Sequence, residues 1–169
     1  DDRAAGPPPP PAVVLEVQAP SDLRALLERY LDLARIGALA NGEPLGEAEL
    51  ARLIDAAPTQ VRELLQTEGY FSPEVRIERV PAPAGGGPQR VRLTLQPGPQ
   101  TVIGRVNLEV EGALAQAVEA GDADARRTLD RLRGNWALKS GAAFRNAAWS
   151  DAKSAALAQL RAAGYAAAT

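Results

Sequence analysis

From Val13 onward the apolar positions alternate, with Val13, Leu15 and Val17 separated by Val14, Glu16 and Gln18. A two-residue period of this kind predicts a strand with one buried face. The period then lengthens: Leu23, Leu26, Leu27, Tyr30 and Leu31 recur at helical spacing and form one apolar stripe. Ser21 is the expected N-cap of that helix, Asp22 suits the positive end of its dipole, and Gly37 followed by Asn41-Gly42 is expected to close it. A second stripe runs through Leu50, Leu53, Ile54, Val61, Leu64 and Leu65. With Gly46 as its N-cap, Glu49 takes the third position and Leu45 can pack on Leu50. Pro58 inside the stripe predicts either a kink or a division into two helices, because it lacks an amide donor and its ring crowds the preceding turn.

The end of this stripe is read from Leu65, Gly69 and Tyr70. A glycine in the left-handed conformation lets the next residue fold back on the helix, which assigns these three residues a structural role. Val75, Ile77 and Val80 then mark a second strand, with Arg76, Glu78 and Arg79 expected on its outward side. A loop rich in Pro and Gly spans 81–88, and Val91, Leu93 and Leu95 alternate through a third strand. Pro97-Gly98 suits the centre of a type II turn. The unit therefore reads β-α-α-β-β.

Beyond Gly98 the pattern begins again. Val106, Leu108 and Val110 predict a strand, Leu129 and Leu132 one helix, and Leu157 and Leu160 another. Leu108-Glu-Val110 echoes Leu15-Glu-Val17, and Leu160, Gly164 and Tyr165 echo Leu65, Gly69 and Tyr70. The first pair of anchors is offset by 93 residues and the second by 95, so the two stretches read as copies of one unit. The expected organisation is a Pro-rich N-terminal segment over 1–12, a first domain over 13–97 and a second over 98–169 that lacks its last two strands. The fold class is α+β, with a small three-stranded mixed sheet carrying two helices on one face. The second unit reaches Thr169 where its second strand is due, so a longer native polypeptide is expected, and Asp1 reads as a processed or engineered start.

Composition narrows the function. Of 169 residues 46% are hydrophobic, enough for real cores, and 19 basic and 21 acidic residues are interspersed for a formal charge of −2. Nucleic acid is not an expected partner, since phosphate binding needs concentrated basic surface. The chain has no Cys and no His, which removes thiolate nucleophiles, imidazole bases and the usual zinc ligands. Glu47 with Glu49 and Asp122 with Asp124 are carboxylate pairs, but each begins a predicted helix, where acids are favoured by the dipole. Gly85 to Gly87 lack the Lys-Ser/Thr and helix of a phosphate loop, Ser140 and Ser150 have no imidazole partner, and Lys153 and Ser154 point to different helix faces. No catalytic, metal or cofactor residues are assigned, and the chain is read as a non-enzyme.

Trp136 and Trp149 have no counterparts in the first unit; they are read as packing residues unless an indole is exposed. The five prolines Pro7 to Pro11 predict a stiff polyproline II spacer. The remaining opportunity for recognition is a sheet edge. A three-stranded sheet has two, and an extended peptide can pair with either if it is uncovered. The candidate is the strand Val75, Arg76, Ile77, Glu78 and Arg79, whose charges equally suit a guard against aggregation.

The β-α-α-β-β order, the helix end Leu65-Gln-Thr-Glu-Gly-Tyr-Phe-Ser-Pro73, the junction Leu95-Gln-Pro-Gly-Pro-Gln-Thr-Val-Ile-Gly104 and the run Leu132-Arg-Gly-Asn-Trp-Ala-Leu-Lys-Ser-Gly141 carry a resemblance. The chain resembles the polypeptide-transport-associated (POTRA) domains of the TamA family, outer-membrane assembly factors of the BamA superfamily. Residues 13–97 are similar to the first such domain and 101–169 to most of the second. The resemblance implies a sheet ordered first, third, second, a periplasmic location at the outer membrane, and a C-terminal β-barrel embedding the parent protein. It also implies a TamB-like inner-membrane partner and unfolded outer-membrane or autotransporter polypeptides as clients. The alternative it leaves open is a POTRA-like scaffold of a cell-division or two-partner secretion protein.

Overall fold

The computed structural model describes residues 13–36 and 45–169. The expected Pro-rich segment over 1–12 and the expected closure at Gly37 and Asn41-Gly42 lie outside those residues. The chain divides into two compact units, one of Asp1–Gln66 with Tyr70–Pro99 and another of Thr67–Gly69 with Gln100–Thr169.

In the first unit, strand β1 (Val13–Gln18) leads into helix α1 (Ser21–Tyr30) and a 3-10 turn over Asp32–Arg35. Pro20, not Ser21, is the N-cap, and its carbonyl accepts the Arg24 amide at 2.8 Å. No side chain caps this helix, and Ser21 is its first helical residue. A proline suits the entry because its fixed φ of −52° leads directly toward helical geometry. The helix closes at Leu31, before the expected closure at Gly37, because Leu31 turns extended (φ −75°, ψ 131°) to bury its side chain and the 3-10 turn follows.

Helix α2 (Glu47–Thr67) is continuous through Pro58 rather than divided there. The carbonyl left without its amide is outweighed by packing on both sides of the proline, since Leu50, Leu53, Ala57, Val61 and Leu65 are all buried. Strands β2 (Glu74–Val80) and β3 (Gln89–Gln96) complete the unit.

The sheet order is β1-β3-β2, with β1 parallel and β2 antiparallel to the central β3. Val13 and Val17 of β1 and Val91, Leu93 and Leu95 of β3 join Leu23, Leu27, Leu31, Leu33 and Ile36 and the buried stripe of α2 in one core. Both helices therefore lie over one sheet face. Val75 and Ile77 of β2 pack at the margin of that core, half-buried. The mixed α+β class and the strand order agree with expectation.

The second unit holds helices α3 (Ala113–Glu119), α4 (Ala123–Asn135) and α5 (Asn146–Ala162). Asp122 caps α4, accepting the amides of Asp124 at 2.8 Å and Ala125 at 3.0 Å. Its core gathers Leu114, Ala125, Leu129, Leu132, Trp136 and Ala152. Trp136 and Trp149 meet edge to face with centroids 5.6 Å apart, and Phe144 leans on Trp149 at 6.4 Å. The indole of Trp136 is buried, and that of Trp149 is half-buried against it.

The expected strand at Val106, Leu108 and Val110 does not form. Those three residues are half-buried while Arg105, Asn107 and Glu109 are exposed, so the alternation survives without a ladder. An extended segment becomes a strand only by pairing, and the described residues of this unit put none beside it. The one antiparallel bridge described in the unit joins Val102 to Ala143 instead.

Candidate protein-binding edge

The two helix ends read from a Gly-Tyr pair are each closed by a glycine at positive φ. Gly69 has φ 87°, and the Tyr70 amide donates to Leu65 O at 3.0 Å. Gly164 has φ 100°, and the Tyr165 amide donates to Leu160 O at 3.0 Å while Gly164 itself donates to Arg161 O at 3.1 Å. This is the Schellman arrangement, in which the residue after the glycine reaches back to the last turn. Tyr70 packs against the first core. Gly98 follows Pro97 with φ 71°, and a side chain there would come within 3.2 Å of Ser72 O.

The endings matter for position. With α2 stopped at Thr67 and the chain turned at Gly69, β2 begins at Glu74 and runs antiparallel along β3. The register pairs Val75 with Leu95, Ile77 with Leu93 and Arg79 with Val91 on the helix-covered face, and Arg76 with Thr94 and Glu78 with Arg92 on the opposite one. Val75, Arg76, Ile77, Glu78 and Arg79 thus lie together on an edge strand whose other side meets no strand of the sheet. Every second residue of such a strand turns its amide and carbonyl away from the ladder.

Arg79 does not face outward with Arg76 and Glu78, because an unbroken pleat places 75, 77 and 79 on one face. It stands at the rim of the helix-covered side, and its guanidinium pairs with Glu47 in the first turn of α2. Val80, expected inward, lies instead on the open face beside Arg90. The Glu47–Arg79 pair joins residues 32 apart, and only the strand register brings it into view.

The open face is polar. By register Arg92 stands between Glu16 of β1 and Glu78 of β2. It reaches Glu16 at 3.5 Å, its Nε is buried without a hydrogen bond, and Glu78 is left with no ion pair among the described residues. Arg76 and Glu78 are both exposed.

The carboxylate pairs are all engaged at helix starts. Glu47 binds Arg79, Glu49 binds Arg52, Asp122 caps α4 and Asp124 pairs with Arg127. The Arg52 guanidinium, hydrogen-bonded to Glu49, holds that carboxyl below the usual range. The described residues contain no cluster of three or more acidic groups placed to hold a metal. Among them no helix is long and apolar enough to cross a membrane. In the Gly85 to Gly87 loop the Gly86 amide donates to Pro83 O at 3.0 Å, an internal turn.

No protein-family model matches the chain, and no curated protein matches it. Among solved structures it is similar to the crystal structure of Haemophilus influenzae BamA POTRA domains 3–5, with 15% identity over 90% of this chain and a TM-score of 0.32. The alignment takes in 49% of that structure, so the chain spans about half its length. An overlay this loose carries no functional weight; the chain's own topology and side-chain placement do.

Proposed function

We propose that the chain is a protein-binding module that docks an extended segment of another polypeptide along β2, as a periplasmic part of an outer-membrane assembly or translocation factor. The observation that carries this reading is the strand order β1-β3-β2, which leaves Glu74–Val80 as an edge. The other edge, β1, has both terminal core residues buried and Leu15 packed into the cluster, whereas no residue of β2 is fully buried. The lack of His and Cys and the engagement of each acidic pair in a cap or ion pair favour a binding role over catalysis.

Binding of this kind is weak and permissive. About two to five new backbone hydrogen bonds at ~1 kcal/mol net each, less the ordering of the peptide, correspond to roughly millimolar affinity. That suits transient capture of many sequences. The partners proposed from the sequence resemblance are a TamB-like inner-membrane protein and unfolded outer-membrane or autotransporter polypeptides.

The test is to titrate the 169-residue chain with peptides taken from outer-membrane β-strands and observe its backbone amide resonances. Shifts centred on 74–80 are the expected result. Shifts confined to other elements, with 74–80 unchanged, refute docking at this edge.

A further inference from the structure

The charges on β2 do more than guard the edge, because their order makes the strand complementary to itself. Two identical strands that pair antiparallel about a two-fold axis oppose residues whose numbers have a constant sum. Opposed residues must share a sheet face and a hydrogen-bonding parity, so that sum must be even. Three registers keep most of the seven-residue strand paired. Centred on Arg76, the pairing sets Arg76 against Arg76 and Glu74 against Glu78; centred on Glu78, it sets Glu78 against Glu78. Centred on Ile77, it sets each Arg76 against the other copy's Glu78, and Ile77 against Ile77.

That middle register is the one in which every exposed charge on the open face of the strand's centre gains an opposite partner. Arg76 and Glu78 are exposed and have no ion pair among the described residues, while Arg92 is drawn to Glu16. On the helix-covered face the pairing brings Ile77 to Ile77 and Val75 against Arg79, whose guanidinium is already drawn aside to Glu47. The half-buried flank of Ile77 would be covered by Ile77 of the second copy, and that of Val75 by the stem of Arg79 and, on the diagonal, by Ile77.

We infer that the β2 edge takes a second copy of this chain, pairing antiparallel about Ile77 with two reciprocal Arg76–Glu78 contacts to make one six-stranded sheet. The inference rests on the proposed function only in requiring the same edge to be open, and it makes self-pairing a competitor of client docking. A single strand-to-strand seam falls below the size of stable protein interfaces, so the dimer is weak, with a dissociation constant on the order of 0.1–1 mM.

The test uses two single variants of the full 169-residue chain, R76E and E78R. In either homodimer both cross-strand contacts become like-charged, which raises the dissociation constant roughly tenfold or more. In an equimolar mixture of the two, one copy carries a carboxylate at both positions and the other a guanidinium at both. Each contact across the seam then joins opposite charges again, so a heterodimer forms. The expected results are concentration-dependent amide shifts at 75–79 in the wild type, their loss in each variant alone, and their return on mixing a labelled variant with its unlabelled complement. Both side chains are exposed, and circular dichroism verifies that the variants fold. A wild type that is monomeric at millimolar concentration overturns the inference, as does a dimer indifferent to both substitutions. Peptide-induced shifts at 74–80 without self-association sink this inference alone, and self-association with no response to any client peptide sinks the client reading alone.

Discussion

Replacing Gly69 and Gly164 by alanine, one at a time, separates the backbone strain of a helix-ending glycine from the space around it. Both residues hold a positive φ, 87° and 100°. An alanine forced into that region costs about 1–2 kcal/mol in either place. The surroundings differ. A Cβ at Gly164 meets nothing within 4 Å, whereas one at Gly69 would lie 2.3 Å from Phe144 O and 3.3 Å from its carbonyl carbon. Relief at Gly69 therefore demands movement of backbone, not of a flexible side chain. That backbone is tied, with Phe144 donating to Thr101 O at 2.8 Å and Thr101 donating to Gly69 O at 2.8 Å. Losing those two bonds adds about 1 kcal/mol each. The expected cost is about 3–4 kcal/mol for G69A and about 1–2 kcal/mol for G164A. Both tryptophans lie in the second unit, which also contains Gly69, so urea unfolding monitored by Trp fluorescence reports on this unit alone. Equal shifts of the two midpoints at unchanged slope would show that the contact with Phe144 contributes nothing and refute the argument.

Leu65→Ala, at a fully buried position of the first core, is expected to destabilise that unit by about 2–5 kcal/mol, measured by denaturant dependence of amide exchange in β1 and β3. Asp122→Ala removes the acceptor for the Asp124 and Ala125 amides and should cost the second unit about 0.5–2 kcal/mol in the same Trp-monitored urea titration. Glu49 has its carboxyl pKa lowered by its hydrogen bond to Arg52, so its contribution is present above the unfolded pKa and is lost as pH falls through the folded one. Glu49→Gln should accordingly lower the stability slightly at neutral pH and remove that part of its decline toward acid pH, so that variant and wild type converge below the folded pKa in urea titrations followed by helical circular dichroism; a pH profile identical to wild type would count against the pairing.

How much of the fold is legible in the sequence depends on the range of each interaction. The strands of the first unit and the stripes of α1 and α2 are written in the period of their apolar residues, because burial of one face selects either a two-residue or a 3.6-residue repeat. Helix endings are equally local, since the φ of a single glycine and one bond five residues back suffice. Boundaries are less so: the N-cap position of α1 falls on Pro20, one residue before Ser21, and no side chain caps it.

Tertiary structure alone decided three matters. It set Arg79 on the helix-covered face, where the uniform pleat of β2 and the reach to Glu47 in α2 override the impression of a charged outer row. It kept Pro58 inside one helix, because the packing of Ala57 and Val61 outweighs the missing bond. And it left 106–110 without a strand partner among the described residues. The common reason is that a strand's neighbours, and with them its free side, come from residues distant in the chain: Val13 aligns with Gln89, and no local period encodes that meeting. The sequence by itself determined which segments of the first unit are strands and which are helices; the edge position of β2 was anticipated only through the resemblance, and the assembled sheet is what fixes it physically.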